Sequence, residues 1–154
     1  HDDIGFNYRL PNISAAIGLG QFSQKDKIFS EKKRIYERYK KNLEIIEGIK
    51  IPLIKTWATK YIMWVFNLYL DNKFSITRDD LVKKLAEKNI ETRNAFAPIN
   101  KQKVLIKKYG LIKEDDCPNA NYIMDNGFYL PSGNNITNEE IDFICNTIKS
   151  ISES

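Results

Sequence analysis

The stretch YIMWVFNLYL at residues 61–70 is the segment on which the fold prediction depends. Aromatic and branched side chains dominate it, and its weak alternation is typical of a strand buried on both faces or nearly so. With ten residues it is far shorter than the roughly 20 apolar residues that span a bilayer. We therefore expect a central strand of a small sheet and not a membrane segment.

Helical patterns come before this strand. From Asp26 onward, apolar residues recur every three or four positions, which predicts a long amphipathic helix ending near Gly48. Ahead of it, Asn12 is expected to cap a first helix. Gly18 and Gly20 lower the helicity of that first helix but permit a tight contact with a neighbouring element.

Helices and short strands follow the central strand. A capping-box pattern, Thr77 with Asp80, begins a helix that stops around Asn89, and a second box, Thr137 with Glu140, begins the last helix. Between these two helices we predict a short strand at 90–93, a loop with a short helix at 96–110, a helix at 117–127 and a strand that ends in a turn at 128–133. This order predicts the mixed α/β (α+β) class, with a small sheet covered by helices.

Composition limits the classes of protein that fit. A chain of 154 residues with 42% hydrophobic and 29% charged residues has the values of one globular domain with its own core. Cys117 and Cys145 lack a metal-binding spacing and are expected as free thiols, which suits a reducing cytoplasm. Segment 25–41 carries eight basic and three acidic residues. It is interpreted as a solvated helix face or, alternatively, as the surface of a non-catalytic interaction or nucleic-acid-binding module, for which it lacks a recognition motif.

The common catalytic motifs are missing. His1 is the only histidine, so neither a histidine-based triad nor a multi-histidine metal site is expected. The sequence contains no P-loop and no G-x-G-x-x-G. Adjacent acids such as Asp79 and Asp80 are explained by caps and turns. The residues by themselves do not reveal a complete active site.

One longer motif resembles a known family. The stretch HDDIGFNYRLPNISAAIGLGQ at 1–21 matches the pattern G-[YF]-N-[YF]-R-x-x-N-x-x-A-A-I-G-x-x-Q. That pattern is typical of the DegT/StrS family of pyridoxal-phosphate-dependent nucleotide-sugar aminotransferases. The resemblance covers essentially the whole chain and includes segments 61–70, 78–93 and 126–141.

The resemblance implies a fold and a reaction. The 154 residues would be the small carboxyl-terminal domain of a fold-type I aminotransferase, with a mainly antiparallel sheet covered by helices and preceded by a long helix, and 1–24 would be the junction from a missing large domain. The enzyme would transfer an amino group from an amino acid, usually glutamate, to a ketosugar. Segments 1–2 and 91–93 are most similar to the perosamine synthase group, which implies a 4-keto-6-deoxy sugar nucleotide and surface polysaccharide or lipopolysaccharide synthesis. A cytoplasmic homodimer without nucleic-acid or membrane partners is expected.

Pyridoxal 5'-phosphate is the implied cofactor. No lysine of this chain stands in the family's S-x-x-K-x-x-x-x-G-E-G-G context, so no catalytic residue is assigned, and the fragment alone is expected to be inactive and free of cofactor. Asn7 matches the family's asparagine that reaches across the dimer to the cofactor phosphate, and Arg9 is implied at the same phosphate. The alternatives are a turn-forming role for Asn7 and a surface position for Arg9.

Five residues are implied at the substrate. His1 would face the sugar nucleotide, or would be a disordered chain end. The segment that includes Arg93 is similar to the family's T-R-P-x-F-x-P-x-H, with Phe96 and Pro98 in step. A buried aromatic residue and a turn proline would look the same at those two positions. Asn100 stands where the family has histidine, a departure that leaves the identity of the sugar open.

Overall fold

The computed structural model describes residues 8–52, 57, 61, 63–110 and 117–153. Short strands are interspersed among helices along this part of the chain. In chain order the elements are α1 (Asn12–Ser23), α2 (Lys25–Leu43), β1 (Ile49–Lys50), β2 (Phe66–Leu70), α3 (Arg78–Glu87), β3 (Arg93–Asn94), a 3-10 turn (Ile99–Lys101), α4 (Lys103–Tyr109), α5 (Pro118–Asn126), β4 (Gly127–Leu130) and α6 (Asn138–Ser152).

The four strands form one antiparallel sheet in the order β1-β2-β4-β3. β2 lies inside the sheet, with Leu70 opposite Ile49 of β1 and Leu68 opposite Phe128 of β4. The predicted class, a mainly antiparallel small sheet covered by helices, is confirmed, and so is the central position of the strand.

The extent of the central strand differs from the prediction. β2 begins at Phe66 instead of residue 61, while Tyr61 and Met63 pack against the core without belonging to the strand. Its buried side chains alternate with half-buried ones and none is exposed, so the strand is buried on one face and nearly so on the other, within the expectation. One face is closed by the core, and the other is covered only in part. The strand expected at 90–93 is β3, displaced to Arg93–Asn94, and β1 has no sequence counterpart because two residues are too short for a pattern.

The long amphipathic helix is confirmed as α2, which packs on α6 and β2, but it ends at Leu43 and not near Gly48 as predicted. Its Tyr39 ring stacks on Phe66 with centroids 4.8 Å apart, and its hydroxyl donates to the Pro131 carbonyl at 2.8 Å. Several basic residues of α2 form ion pairs, among them Lys33 with Glu37. These pairs favour the solvated-face interpretation of segment 25–41 over a nucleic-acid surface.

The first helix, α1, contributes nothing to the core. It has no buried residue, and Pro11 occupies the N-cap position, so the prediction that Asn12 caps it is wrong. A Cβ added at Gly18 or Gly20 would have open space around it. The tight contact predicted from these glycines is therefore not made within residues 8–52, 57, 61, 63–110 and 117–153.

The two predicted capping boxes differ in the structure. Thr137 and Glu140 exchange both bonds, because the Thr137 N–H donates to Glu140 Oε2 at 2.8 Å and the Glu140 N–H donates to Thr137 Oγ1 at 3.1 Å. Thr77 accepts from the Asp80 N–H at 3.2 Å but donates its own hydroxyl to Asp80 Oδ2. The second box is complete, whereas the first is a simple N-cap.

Candidate functional site

A cleft of about 370 Å³ opens beside the sheet where β3 and the start of β2 approach the turn after β4. Antiparallel pairing places Arg93 of β3 opposite Tyr129 of β4, so both side chains reach this cleft. The remaining wall comes from α2 and from residues 131–133. The lining includes Lys32, Trp64, Glu91, Thr92 and Ser132.

Backbone-directed hydrogen bonds fix one wall of the cleft. Lys32 Nζ donates to the carbonyl oxygens of Trp64 at 2.9 Å and Ser132 at 2.6 Å, which ties α2 to two loops. The Ser132 hydroxyl accepts from the Phe66 N–H at 2.9 Å and donates to the Leu130 carbonyl at 2.6 Å. Partial burial lowers the pKa of Lys32 from its usual value. Lys32 is thus a structural cation whose charge lies beside the cleft.

Arg93 is the exposed cation of the cleft. Among the described residues its guanidinium has no hydrogen-bond or ion-pair partner, although Glu91 also lines the cleft. An arginine presents a planar fork of donors that matches a carboxylate or a phosphate in a bidentate arrangement. The cleft therefore offers an anion one unoccupied guanidinium, with Lys32 as a second positive charge nearby.

Aromatic rings border the same cleft. The Phe96 ring lies parallel to Trp64, with an interplanar angle of 4° and centroids 6.1 Å apart, and contacts Tyr129 at 5.5 Å. The Phe96 N–H donates to the Tyr129 hydroxyl at 3.3 Å. Phe96 remains 67% exposed and Trp64 63% exposed. An aromatic surface and a guanidinium thus lie within one short stretch of the chain.

The structure brings together only some of the residues predicted at the substrate. Arg93 lines the cleft, and Phe96 contacts its rim through Trp64 and Tyr129. Pro98 is half-buried and caps the 3-10 turn. Asn100 is 2% exposed and is not among the lining residues. His1 lies outside the described residues.

Of the two residues predicted at the cofactor, the structure describes only Arg9. Asn7 lies outside the described residues, and Arg9 is exposed shortly before α1. Within the part of the chain that the structure describes, Pro11 at the N-cap supplies no side-chain acceptor for the first N–H groups of α1. A guanidinium beside uncapped helix N–H groups is a donor set that suits a phosphate.

Neither cysteine belongs to the cleft lining, and both are free thiols, as predicted. Burial raises the pKa of the Cys145 thiol to about 12, so it stays protonated at neutral pH. Cys117 is exposed. In the described part of the chain no cluster of three acidic, cysteine or histidine side chains could hold a metal, and no helix has the length and apolarity to cross a membrane.

Lys32, Trp64 and Tyr129 also line the cleft, although the sequence did not predict them there. Lys32 belongs to a helix with many basic residues, and its long-range bonds to the Trp64 and Ser132 carbonyls, which place it beside the cleft, have no local sequence signal. Trp64 was assigned to a strand, although the strand begins two residues later. The one available signal was the alternation of β4, which places Tyr129 on the face opposite to Phe128 and Leu130.

The sequence of this chain is similar to one family of aminotransferases. Residues 1–149 match the model of the DegT/DnrJ/EryC1/StrS aminotransferase family. The chain is 33% identical over 148 residues to GDP-perosamine synthase of Escherichia coli O157:H7, covering 96% of this chain and 38% of that protein. It is 32% identical to GDP-perosamine synthase of Vibrio cholerae, covering 97% and 39%. It thus spans about two fifths of the length of these relatives.

The fold itself also occurs in solved structures. A DegT DnrJ EryC1 StrS aminotransferase from Brucella abortus superposes with a TM-score of 0.80 at 22% identity. The match covers 98% of this chain and 38% of that one. At this identity the similarity establishes the fold alone.

Proposed function

The chain belongs to the DegT/DnrJ/EryC1/StrS aminotransferase family, and from this premise we propose that it is the carboxyl-terminal part of a sugar-nucleotide aminotransferase. The acceptor would be a 4-keto-6-deoxy sugar nucleotide used for surface polysaccharide or lipopolysaccharide, and the amino donor would be glutamate. The observation that carries this proposal is the cleft in which Arg93, unpaired among the described residues, lies beside open aromatic rings. Sequence identities of 33% and 32% with two GDP-perosamine synthases support the choice of acceptor.

Arg93 would bind the anionic part of the substrate. A sugar nucleotide carries a diphosphate, and the guanidinium fork donates two parallel hydrogen bonds to such an oxyanion. Lys32 contributes charge without direct contact, because two carbonyls already engage its ammonium group. Phe96 and Pro98 would shape the wall against which the sugar nucleotide is oriented. His1 would approach the same substrate in the whole enzyme.

The cofactor would be bound at the other end of the chain. Pyridoxal phosphate supplies an electron sink for amino transfer. Asn7 and Arg9 would donate hydrogen bonds to its phosphate, together with the uncapped N–H groups of α1. We assign the covalent attachment to a lysine upstream of residue 1, within a preceding large domain that segment 1–24 would join to this one. A cytoplasmic homodimer in which Asn7 serves the partner's cofactor completes the proposal.

Borohydride reduction tests the assignment of the lysine. In the full-length protein, pyridoxal phosphate should become fixed to one lysine, located by peptide mass mapping, and glutamate should aminate a 4-keto-6-deoxy sugar nucleotide. The 154-residue chain mixed with the cofactor should give neither unique labelling nor turnover. Stoichiometric labelling of one lysine in the short chain would contradict the proposal.

Steady-state kinetics test the role of Arg93. Arg93→Ala should raise the KM for the sugar nucleotide by about ten- to a hundredfold, because a charge-assisted bidentate contact is lost. Lys33→Ala serves as the control, since Lys33 is an exposed cation of α2 whose partner is Glu37. Equal KM values for the two variants would refute a substrate contact at Arg93.

A further inference from the structure

Trp64 and Phe96 form an open aromatic pair at the rim of the cleft. Their parallel rings are 63% and 67% exposed, whereas the core ring of Phe128 is fully buried. Both residues of the pair have further contacts: Lys32 binds the Trp64 backbone carbonyl, and Tyr129 contacts the Phe96 ring. The two large rings thus lie parallel on anchored segments of the chain, while most of their surface faces solvent.

The open aromatic pair lies beside Arg93, which has no partner in the part of the chain that the structure describes. Phe96 follows Arg93 by three residues, and Trp64 lines the same cleft as Arg93. A planar aromatic ring stacks on such a surface, and an anion binds such a guanidinium. A nucleoside diphosphate joins both chemistries in one molecule.

Resting on the proposed function, we propose that Trp64 and Phe96 form the stacking surface for the nucleobase of the sugar nucleotide, while Arg93 faces its diphosphate. Stacking accepts any base because every base has a π face. The pair therefore adds affinity for the nucleotide half of the substrate without selecting the sugar. Trp64 becomes a binding residue that the family motif around Arg93 does not include.

Equilibrium binding to the full-length protein separates the base contact from the phosphate contact. The probes are GDP, UDP and dTDP, which carry a base, and inorganic pyrophosphate, which does not. Trp64→Ala and Phe96→Ala should each lower the affinity for a nucleoside diphosphate by about 5- to 100-fold. The comparison uses whichever of the three the unchanged protein binds. Pyrophosphate affinity should change less than twofold. Trp64→Phe should keep most of the affinity because a ring remains.

Trp57→Ala is the matched control, because Trp57 is 79% exposed and does not line the cleft. It should bind every probe as the unchanged protein does. Equal losses for pyrophosphate and nucleoside diphosphates in Trp64→Ala would overturn the proposal, since the contact would not be with the base. Unchanged affinity with a lowered melting temperature would also overturn it, because the rings would then pack on another part of the full-length protein.

The same experiments distinguish this inference from the proposed function. If the protein aminates a sugar nucleotide but Trp64→Ala binds nucleoside diphosphates normally, only the stacking surface is wrong. If the unchanged protein neither binds nucleoside diphosphates nor transfers an amino group to a sugar nucleotide, the proposed function fails and the stacking surface fails with it.

Discussion

Asn100 Nδ2 donates a 2.7 Å hydrogen bond to Asn121 Oδ1, and this bond joins the segment after β3 to α5. Asn100 is the one buried polar residue among those described. Since α5 runs directly into β4, the bond ties the chain that carries Arg93 and Phe96 to the strand that carries Tyr129. The side chain at the family's histidine position therefore has an observed structural role, while its predicted contact with substrate stays a prediction.

Removal of the Asn100 amide should destabilise the domain. Asn100→Ala removes a buried amide and its hydrogen bond to Asn121 Oδ1, so we expect the free energy of unfolding to fall by about 1–3 kcal/mol. Urea denaturation of the chain measures this change. Asn134→Ala, at an exposed turn position, is the control and should lie within about 0.5 kcal/mol of the unchanged chain.

An acidic exchange probes the same bond. Asn121→Asp keeps an acceptor for Asn100 Nδ2 and should be tolerated better than Asn100→Ala. The double change Asn100→Asp with Asn121→Asp places two carboxylates opposite each other. At pH 7 it should lower the free energy of unfolding by more than the sum of the two single changes. Additive losses would mean that the two side chains act independently.

The sequence predicts those elements whose local signals agree with their packing. The box of Thr137 with Glu140 lies just ahead of a helix whose apolar face turns inward, and α6 begins where that box predicts. Asn12 carries an equally good cap signal, but Pro11 takes the cap position because its fixed φ of −63° suits extended backbone. Propensity alone does not decide between these two neighbours.

The candidate site is less accessible to sequence reasoning than the fold. Arg93 and Phe96 belong to one contiguous motif, so a resemblance finds them together. Lys32, Trp64 and Tyr129 come from three distant segments, which the β2–β4 and β3–β4 pairings and the packing of α2 on β2 bring to one cleft. Such long-range pairings have no local sequence signal, which is why the aromatic surface was missed.

The ion pair of Arg38 and Asp142 should make stability depend on pH. Arg38 Nε donates to Asp142 Oδ1 at 2.8 Å, and this hydrogen bond is the main reason why the pKa of Asp142 is lowered from 3.8. A folded-state pKa below the unfolded value stabilises the fold above the unfolded pKa. The contribution is lost as the pH falls below about 4 through the folded-state pKa.

Melting temperatures between pH 2.5 and 7 test this pH dependence. Asp142→Asn should lower the melting temperature at pH 7, and the difference from the unchanged chain should shrink as the pH falls. Glu139→Gln removes a charge from the same turn of α6 and is the control. A difference that stays constant down to pH 2.5 would show that the Asp142 charge is not involved.

The complete capping box should contribute more to stability than the simple cap. Thr137→Ala removes an acceptor for the Glu140 N–H and should cost about 1–2 kcal/mol, whereas Thr77→Ala should cost about 0.5–1 kcal/mol. Glu140→Ala tests the reciprocal bond and should cost less than Thr137→Ala. Urea denaturation gives all three values, and a larger loss at Thr77 than at Thr137 would contradict the ranking.

Gly48 should be the glycine least tolerant of substitution among those described. Its φ of +83° lies in the left-handed region, and a Cβ placed there would lie 2.3 Å from the backbone nitrogen of Phe74. Gly110 also has a positive φ, +60°, but open space surrounds it, and Gly133 has open space without a positive φ. The three positions therefore separate backbone strain from steric overlap.

Alanine at the three glycines should give a graded series. Gly48→Ala should cost clearly more than the roughly 1–2 kcal/mol of a left-handed non-glycine residue, because the turn that accepts the Asp71 N–H must also move. Gly110→Ala should cost about 1–2 kcal/mol, and Gly133→Ala less than about 0.5 kcal/mol. Asparagine sharpens the comparison, since it tolerates a positive φ but still carries a Cβ. Gly110→Asn should thus recover much of the stability lost in Gly110→Ala, while Gly48→Asn should recover little. Equal recovery at both positions, measured by urea denaturation, would show that overlap with Phe74 does not limit Gly48.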